Sequence, residues 1–332
     1  MSDDGGDPKK SNIHGLVLFN YEQDESKSSI QDYYSLESVD QENAIKLMTD
    51  LRPFSGKYRY LIAIINESIA PITEIKVRVK YPSFLNFNRI SPPNIKIKSI
   101  DKLDKFTYQV SINFDEIDGN QNKQIALYFT PENFNKMGEI KTFVTFVNNK
   151  DFVRVLNSDP AEIKIDPILI EPKILPSNEV RNFLQTDNIK KGIRSLGVAV
   201  ENDINFGLYF NNLEHILKLN NLHLITKDEE KMIAWFFGND VESKEDILVI
   251  GQILNNKIEI LAASRLHRLI ISFLTKIVIN LKKRLMSTGY VKNEDDFIDL
   301  ECKYCGAILS KFPNKGEQIT CNNCKIPQIV WK

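Results

Sequence analysis

The sequence predicts a multidomain protein: an immunoglobulin-like antiparallel β-sandwich, then an α+β domain, then a zinc ribbon. Three observations carry this prediction. Apolar and polar residues alternate with a period of two from about residue 45, which is typical of half-buried strands. Farther along the chain, apolar residues recur at helical spacing. All four cysteines lie in the last 31 residues.

Composition limits the classes of function. A length of 332 residues suits two or three domains. A net charge of -1 argues against a protein that binds polyanions over its whole surface, but it leaves room for a local basic patch. There is no signal-peptide pattern, and no apolar run reaches the roughly 20 residues of a membrane span. We therefore expect a cytoplasmic protein, in a compartment where structural disulfides are rare.

Residues 1–44 are expected to form a disordered or partly ordered N-terminal segment. Most of the segment is polar, but it contains the apolar run GLVLFNY at 15–21. This run fits either a strand that joins a later sheet or a docking peptide, and the sequence does not separate the two.

Residues 45–166 are predicted to form the β-sandwich. The stretch EIKVRVKY alternates apolar and basic residues, and FTYQVSINF at 106–114 alternates even more strictly. Seven or eight such strands, separated by turn residues, indicate an antiparallel sandwich. The outward lysines and arginines fit a solvated surface or, alternatively, a positive binding face. The apolar positions of the first stretch are Ile75, Val77, Val79 and Tyr81.

Residues 167–178 are predicted to be a stiff linker. Prolines at 167, 172 and 176 keep the segment extended and out of sheet interiors.

Residues 179–290 mix strand and helix patterns and predict the α+β domain. IRSLGVAV favours a strand and NLEHILKL favours a helix. TKDEEKMIAWFFG predicts a helix that begins with a capping box at Thr226 and ends at Gly238. The pair Asn255-Asn256 predicts a hairpin turn. An apolar stripe from residue 266 to residue 285 predicts the longest helix, which ends at Gly289.

Residues 291–332 are predicted to be a linker and the ribbon. Two C-x2-C pairs separated by 15 residues have the spacing of a structural zinc site, in which four thiolates leave no open position for water. We expect one structural zinc ion, with AILSKF and EQIT paired as a hairpin and Gly306 allowing a tight turn under the metal. A redox motif would need a βαβ context, and two disulfides would need an oxidising compartment. The ligands are Cys302, Cys305, Cys321 and Cys324.

No catalytic motif is apparent. The sequence has neither a Gly-rich phosphate loop nor a G-x-S-x-G elbow, and its four histidines are scattered. We therefore expect a protein that is not an enzyme.

The order of these domains resembles the appendage, or ear, of clathrin-adaptor and coatomer large subunits. The resemblance covers residues 45–288 and rests on YLIAIINESIAPITEIKVRVKYP (60–82) and on LEHILKLNNLHLI followed by EDILVIGQILNNKIEILAASRL. It implies an immunoglobulin-like sandwich followed by a platform domain that recruits trafficking or coat-associated proteins by gripping short peptide motifs. On this reading Trp235, Phe236 and Phe237 are peptide anchors; the alternative is that they fill the core. The ribbon departs from the family pattern, and the large adaptor trunk is missing.

A nucleic-acid-associated zinc-ribbon factor is the alternative function. The cations Lys282, Lys283 and Arg284 would then contact phosphates. The same cations could instead touch anionic lipid heads at the membrane periphery, or compensate the dipole of a helix C-terminus. Trp331 fits either stacking on a base or packing on the ribbon itself.

Overall fold

The computed structural model describes residues 34–35, 45–199 and 205–332. The expectations for the segment 1–44, including the apolar run at 15–21, lie outside the described residues except for the pair at 34–35. All the strand pairs described below are antiparallel. The strands are β1 (Tyr34–Ser35), β2 (Ile45–Phe54), β3 (Lys57–Asn66), β4 (Ile72–Pro82), β5 (Leu85–Ser91), β6 (Ile97–Lys102), β7 (Thr107–Ile117), β8 (Gln121–Pro131), β9 (Lys136–Val147), β10 (Val153–Asn157), β11 (Ala161–Ile165), β12 (Ile170–Pro172), β13 (Lys190–Val198), β14 (His223–Asp228), β15 (Ile233–Asp240), β16 (Asp246–Leu254), β17 (Lys257–Ser264), β18 (Phe297–Asp299), β19 (Gln318–Thr320) and β20 (Pro327–Ile329). The helices are α1 (Val180–Gln185), α2 (Phe206–Leu219) and α3 (His267–Ser287).

Two sheets form the N-terminal sandwich. One has the order β1-β2-β3-β8-β5, and the other has the order β10-β9-β4-β7-β6, with β11 also paired to β9. Their inner faces share one hydrophobic core, in which Ile75, Val77 and Val79 are fully buried. The alternation in β4 therefore predicted its buried face correctly. Ten strands, β2 to β11, lie between residues 45 and 165, rather than seven or eight. Phe106 precedes β7 and is 70% exposed.

The proline-rich segment is extended, as expected, but part of it belongs to the second sheet. Residues 170–172 pair with β15 as β12, at the edge of that sheet. Ile168 and Ile170 are buried in the second core. The segment is therefore not simply a linker.

A seven-stranded sheet with two helices on one face forms the second domain. Its order is β12-β15-β16-β17-β13-β18, and β14 also pairs with β15. Apolar residues of α2 and α3 share a core with one face of the sheet. The predicted strand, first helix and long helix are confirmed as β13, α2 and α3. The hairpin is confirmed too, since Asn255 and Asn256 join β16 to β17 with φ of 51° and 64°.

The helix predicted from Thr226 to Gly238 is wrong. These residues form the hairpin of β14 and β15. Asp228 accepts a hydrogen bond from the amide of Lys231 in the turn, and Met232 has a φ of 48°. Strand β16 pairs with β15 along residues 233–239 and supplies the hydrogen bonds that a helix would have made internally.

The two domains pack closely against each other. Ile271 of α3 is buried in the sandwich core, whereas its neighbour Ile270 is buried in the core of the second domain. In the β2–β3 turn Gly56 has a φ of 83°, and a side chain there would lie 3.6 Å from the Cα of Gly192 and 2.9 Å from Leu274. Glycine readily adopts this positive φ. At Gly192 an added side chain would lie 3.0 Å from the Cα of Gly56 and 2.5 Å from Ile270, so the close approach of the two backbones favours glycine there as well.

His267, the first residue of α3, is expected to make stability depend on pH. Burial and the nearby charge of Lys190 lower its pKa from the ordinary 6.5. The unfolded chain therefore binds the proton more tightly, so this residue's stabilising contribution is present above about pH 6.5 and is lost as the pH falls towards the folded-state pKa. Urea unfolding of His267→Gln should show a weaker loss of stability below pH 6.5 than the parent. Identical pH profiles for the two proteins would contradict the assignment.

Candidate functional site

The four cysteines sit in two matching turns. In the first, the amide of Gly306 donates to the carbonyl of Cys302 at 2.9 Å, and the amide of Cys302 donates to Ala307 at 2.8 Å. In the second, the amide of Lys325 donates to Cys321 at 3.0 Å, and the amide of Cys321 donates to Ile326 at 3.2 Å. Gly306 and Lys325 follow the second cysteine of their pair with φ of 76° and 61°. Each turn thus points two thiols towards the other turn.

The thiol geometry fits a metal ion. The Sγ atoms of Cys302 and Cys324 lie 3.6 Å apart, as do those of Cys305 and Cys321. All four ligand atoms lie within 4.8 Å of one another. The sulfurs of a tetrahedral site with bonds of about 2.3 Å lie about 3.8 Å apart, whereas a disulfide needs about 2.05 Å. The four residues can therefore hold one metal ion in a closed shell.

The thiols affect one another's ionisation. Burial opposes ionisation of Cys305, but hydrogen bonds from Asn323 and the backbone of Ala307 lower its pKa to about 6. A backbone hydrogen bond from Ile326 favours the thiolate of Cys324, yet burial and three neighbouring sulfurs raise its pKa to about 12. Four thiolates this close repel one another unless a cation lies between them.

The hairpin predicted inside the ribbon is wrong in its pairing. Strand β19 pairs with β20, which follows the second cysteine pair. The segment AILSKF contributes instead a single bridge between Ile308 and Glu301. The ribbon sheet is thus closed by the C-terminal residues.

The ribbon is anchored to both preceding domains. Strand β18, just before it, pairs with β13 of the second sheet. The buried ammonium of Lys257 donates to the carbonyl of Leu309 at 2.7 Å, and the amide of Phe312 donates to Asn255 at 3.1 Å. The ring of Phe312 occupies the space that a side chain at Gly197 would need.

Trp331 packs within the ribbon. Its ring stacks on Phe312, with centroids 5.3 Å apart and an interplanar angle of 12°. Of the two alternatives that the sequence left open, packing on the ribbon is the one observed.

Buried ionic pairs hold the junction of the three domains, and sequence patterns did not indicate them. Lys57, in the sandwich, is 5% exposed and pairs with Glu301 at the start of the ribbon. Arg194, also 5% exposed, pairs with Asp299 at 3.0 Å. Burial lowers the pKa of Lys57 even though Glu301 opposes this shift. The pairs span 244 and 105 residues of sequence, so no local motif could have found them.

The three aromatic residues predicted as anchors lie on a strand, not on a helix. Phe236 is fully buried on the face that packs against α2 and α3. Phe237 is 1% exposed on the opposite face, where Phe183 of α1 meets its ring edge-on at 5.3 Å. Trp235 shares this opposite face and is only partly buried. Of these three residues, only Trp235 has a partly exposed side chain that a partner can contact.

A row of partly exposed apolar side chains crosses four strands on this face. Trp235 lies opposite Ile250, Ile250 opposite Leu261, and Leu261 opposite Ile193. We call these four residues the Trp235 stripe. On one side, Phe237, Leu248 and Ala263 are covered by the segment that carries α1. On the other side, Gln252 donates to Glu259 in a polar row.

The cations at the end of α3 are largely engaged within the chain. Lys282 lies 3.9 Å from a carboxylate oxygen of Glu294 and faces the ring of Phe297. Arg284 donates to Asn212 at 2.6 Å. Lys283 is exposed. The three side chains therefore do not converge on one anion, and we find no support here for the nucleic-acid or membrane alternatives.

No helix in the described part of the chain is long and apolar enough to cross a membrane.

Comparisons with known proteins give only distant likenesses. No family model and no curated protein matches the sequence. The structure resembles the GAE domain of yeast GGA1 with 16% identity and a TM-score of 0.25, covering 40% of this chain and 98% of that one. It resembles the GAE domain of GGA2p from Saccharomyces cerevisiae with 12% identity and a TM-score of 0.24, covering 40% of this chain and 97% of that one. It also resembles BcpA, the major pilin subunit of Bacillus cereus, with 11% identity and a TM-score of 0.29, covering 66% of this chain and 67% of that one. At these TM-scores the likenesses carry no argument about function.

Proposed function

We propose that this chain is a non-enzymatic cytoplasmic interaction module that binds short peptide motifs on the Trp235 stripe. The observation that carries the proposal is the stripe itself: four apolar side chains in register on four adjacent strands, left partly exposed between a covered row and a polar row. Four strands span about 14 Å, the length of about four residues of extended peptide. The stripe therefore suits a short apolar motif with an aromatic anchor, since aromatic residues dominate such contacts.

The partner class follows from the sequence resemblance to appendage domains. On that resemblance the sandwich is immunoglobulin-like, the second domain is platform-like, and the ligands are motifs of trafficking or coat-associated proteins. The proposal includes the expectation that the chain is not an enzyme, which rests on the lack of a catalytic motif in its sequence.

The metal is zinc in this proposal, bound by Cys302, Cys305, Cys321 and Cys324. The C-x2-C spacing and the all-thiolate donor set favour zinc in a reducing compartment. A closed four-sulfur shell gives the ion a structural role: it holds the two turns of the ribbon together, and the ribbon in turn packs on both preceding domains.

Replacing Trp235 by alanine is expected to weaken peptide binding about 30-fold or more while leaving the fold intact. Peptides would be selected by the full chain from a phage-displayed random library, and their affinities for variants in a Trp331→Phe background measured by the fluorescence anisotropy of dye-labelled peptides. Loss of a central aromatic anchor typically costs about 2 kcal/mol or more, or about 30-fold in affinity. In the same background, Phe106→Ala removes a 70% exposed aromatic from the sandwich and should leave affinity unchanged.

Two results would reject the stripe. One is selected peptides that bind Trp235→Ala as tightly as the parent. The other is a Trp235 emission that no selected peptide shifts.

A further inference from the structure

The outer face of the second sandwich sheet carries a basic depression that the peptide-binding proposal does not use. The depression has a volume of about 260 Å³ and crosses β4, β7 and β6. Its lining contains three cations, four neutral polar side chains and no carboxylate. The lining residues are Lys76, Arg78, Lys98, Ser99, Gln109, Ser111 and Asn113.

A β-bulge brings the third cation to this face. Ile97 pairs with Ile112, but Ser99 pairs with the adjacent Ser111, so Lys98 is an extra residue in β6. Such a bulge re-aims side chains. It turns the exposed Lys98 and the partly exposed Ser99 towards the same depression. A regular strand would have sent one of the two to the opposite face.

The cations of this face are poorly neutralised by the protein. Within the described residues, neither Arg78 nor Lys98 makes an ion pair or a side-chain hydrogen bond. Lys76 has only Glu74, at 3.8 Å. Asp101 is nearby, but its carboxylate accepts a hydrogen bond from the hydroxyl of Ser99 at 2.6 Å and is not in the lining.

Just beside the depression, two lysines face each other across strands. Lys80 of β4 is the direct partner of Lys141 of β9. Like charges in directly opposed positions destabilise a sheet. Glu139 compensates Lys141 at 2.8 Å, whereas Lys80 only faces the ring of Phe143 at 5.0 Å. In a chain with a net charge of -1, this face concentrates positive charge, and a bound anion would relieve the repulsion.

We propose that this depression binds a ligand bearing phosphate groups. Adjacent strands lie about 4.8 Å apart and alternate residues about 6.7 Å apart along a strand, so Lys76, Arg78 and Lys98 bracket a space of phosphate-group size. Guanidinium and ammonium groups bind phosphate oxygens by charge-assisted hydrogen bonds, which are about twice as strong as neutral ones. The neutral donors Gln109 and Asn113 would satisfy the remaining oxygens.

The test measures binding of the full chain to inorganic pyrophosphate by calorimetry, and to vesicles of phosphatidylcholine with and without phosphatidic acid by co-sedimentation. The double variant Arg78→Gln/Lys98→Gln is expected to weaken binding at least about tenfold, since each removes a charged hydrogen-bond donor. The control Lys191→Gln/Lys292→Gln removes the same charge from exposed positions outside the depression and should bind as the parent does.

Each outcome is decisive. Binding of pyrophosphate identifies a soluble phosphorylated ligand, and binding only to vesicles with phosphatidic acid identifies a lipid headgroup; in both cases the loss must be confined to the first variant. An equal loss in both variants would mean non-specific attraction and would overturn the proposal. If the chain bound neither pyrophosphate nor the vesicles with phosphatidic acid, the proposal would be overturned as well. Peptide binding at the Trp235 stripe should be unaffected by Arg78→Gln/Lys98→Gln, so failure of one proposal is distinguishable from failure of the other.

Discussion

Replacing Cys321 by serine is expected to release the metal ion and unfold the ribbon. The side chain of Cys321 is fully buried among the other three thiols. The apolar cluster of the ribbon is small: apart from the cysteines, its buried members are Leu309 and Ile319. Structural zinc contributes about 10–16 kcal/mol of apparent binding free energy in small zinc domains, and that energy becomes folding energy. A three-thiol site should lose most of it.

Metal analysis and hydrogen exchange would test this prediction. The purified parent should hold one zinc ion per chain, and Cys321→Ser should hold substantially less. Amides of residues 301–332 should exchange rapidly in Cys321→Ser, while those of β4 and β8 stay protected. Asn322→Ser alters an exposed residue in the same turn and should change neither readout. A parent with no zinc and four freely titrating thiols would refute the site, as would full protection of the ribbon in Cys321→Ser.

Replacing Lys57 by methionine is expected to destabilise the junction by about 3–5 kcal/mol, because the change leaves the carboxylate of Glu301 without its partner in a largely buried position. The side chain of Glu301 is only 16% exposed, and that of Lys57 is 7% exposed. Removing both charges in Lys57→Met/Glu301→Gln should restore much of the loss, since no unpaired charge remains.

Urea unfolding of the single and double variants measures this effect as shifts of the midpoint. Lys231→Met serves as the control, because it breaks an exposed pair in which Lys231 is 79% exposed. No measurable change is expected there. If Lys57→Met unfolded at the same urea concentration as the parent, Glu301 would be adequately solvated and the pair would not anchor the ribbon.

Local patterns predicted those elements in which one face alone is buried. Strand β4 alternates buried and exposed positions, and α2 buries Leu213, Ile216 and Leu217 at helical spacing, so the period of each pattern identified its type and its inner face. The turn at Asn255-Asn256 and the cluster of four cysteines were also predicted from the sequence. In both cases the residue types themselves impose the backbone conformation or the ligand set.

For the segment from Thr226 to Gly238, the local sequence pattern predicted the wrong type of secondary structure. Strand β15 is buried on both faces, with Phe236 against the helices and Phe237 under α1, so its sequence is a continuous apolar run without alternation. Such a run fits a buried strand as well as a helix. The capping pattern at its start favoured the helix, and the pairing with β16 decided for the strand.

By itself, the sequence determined that most of the chain is antiparallel β-structure and that four thiols can hold a metal ion, because these features depend on periodicity and spacing along the chain. The tertiary structure decided which aromatic remains exposed, how β19 pairs, and which cations are buried at the junction. These features depend on contacts between residues far apart in sequence, such as Lys57 with Glu301. Periodicity shows that a face is buried, but it does not show what covers that face.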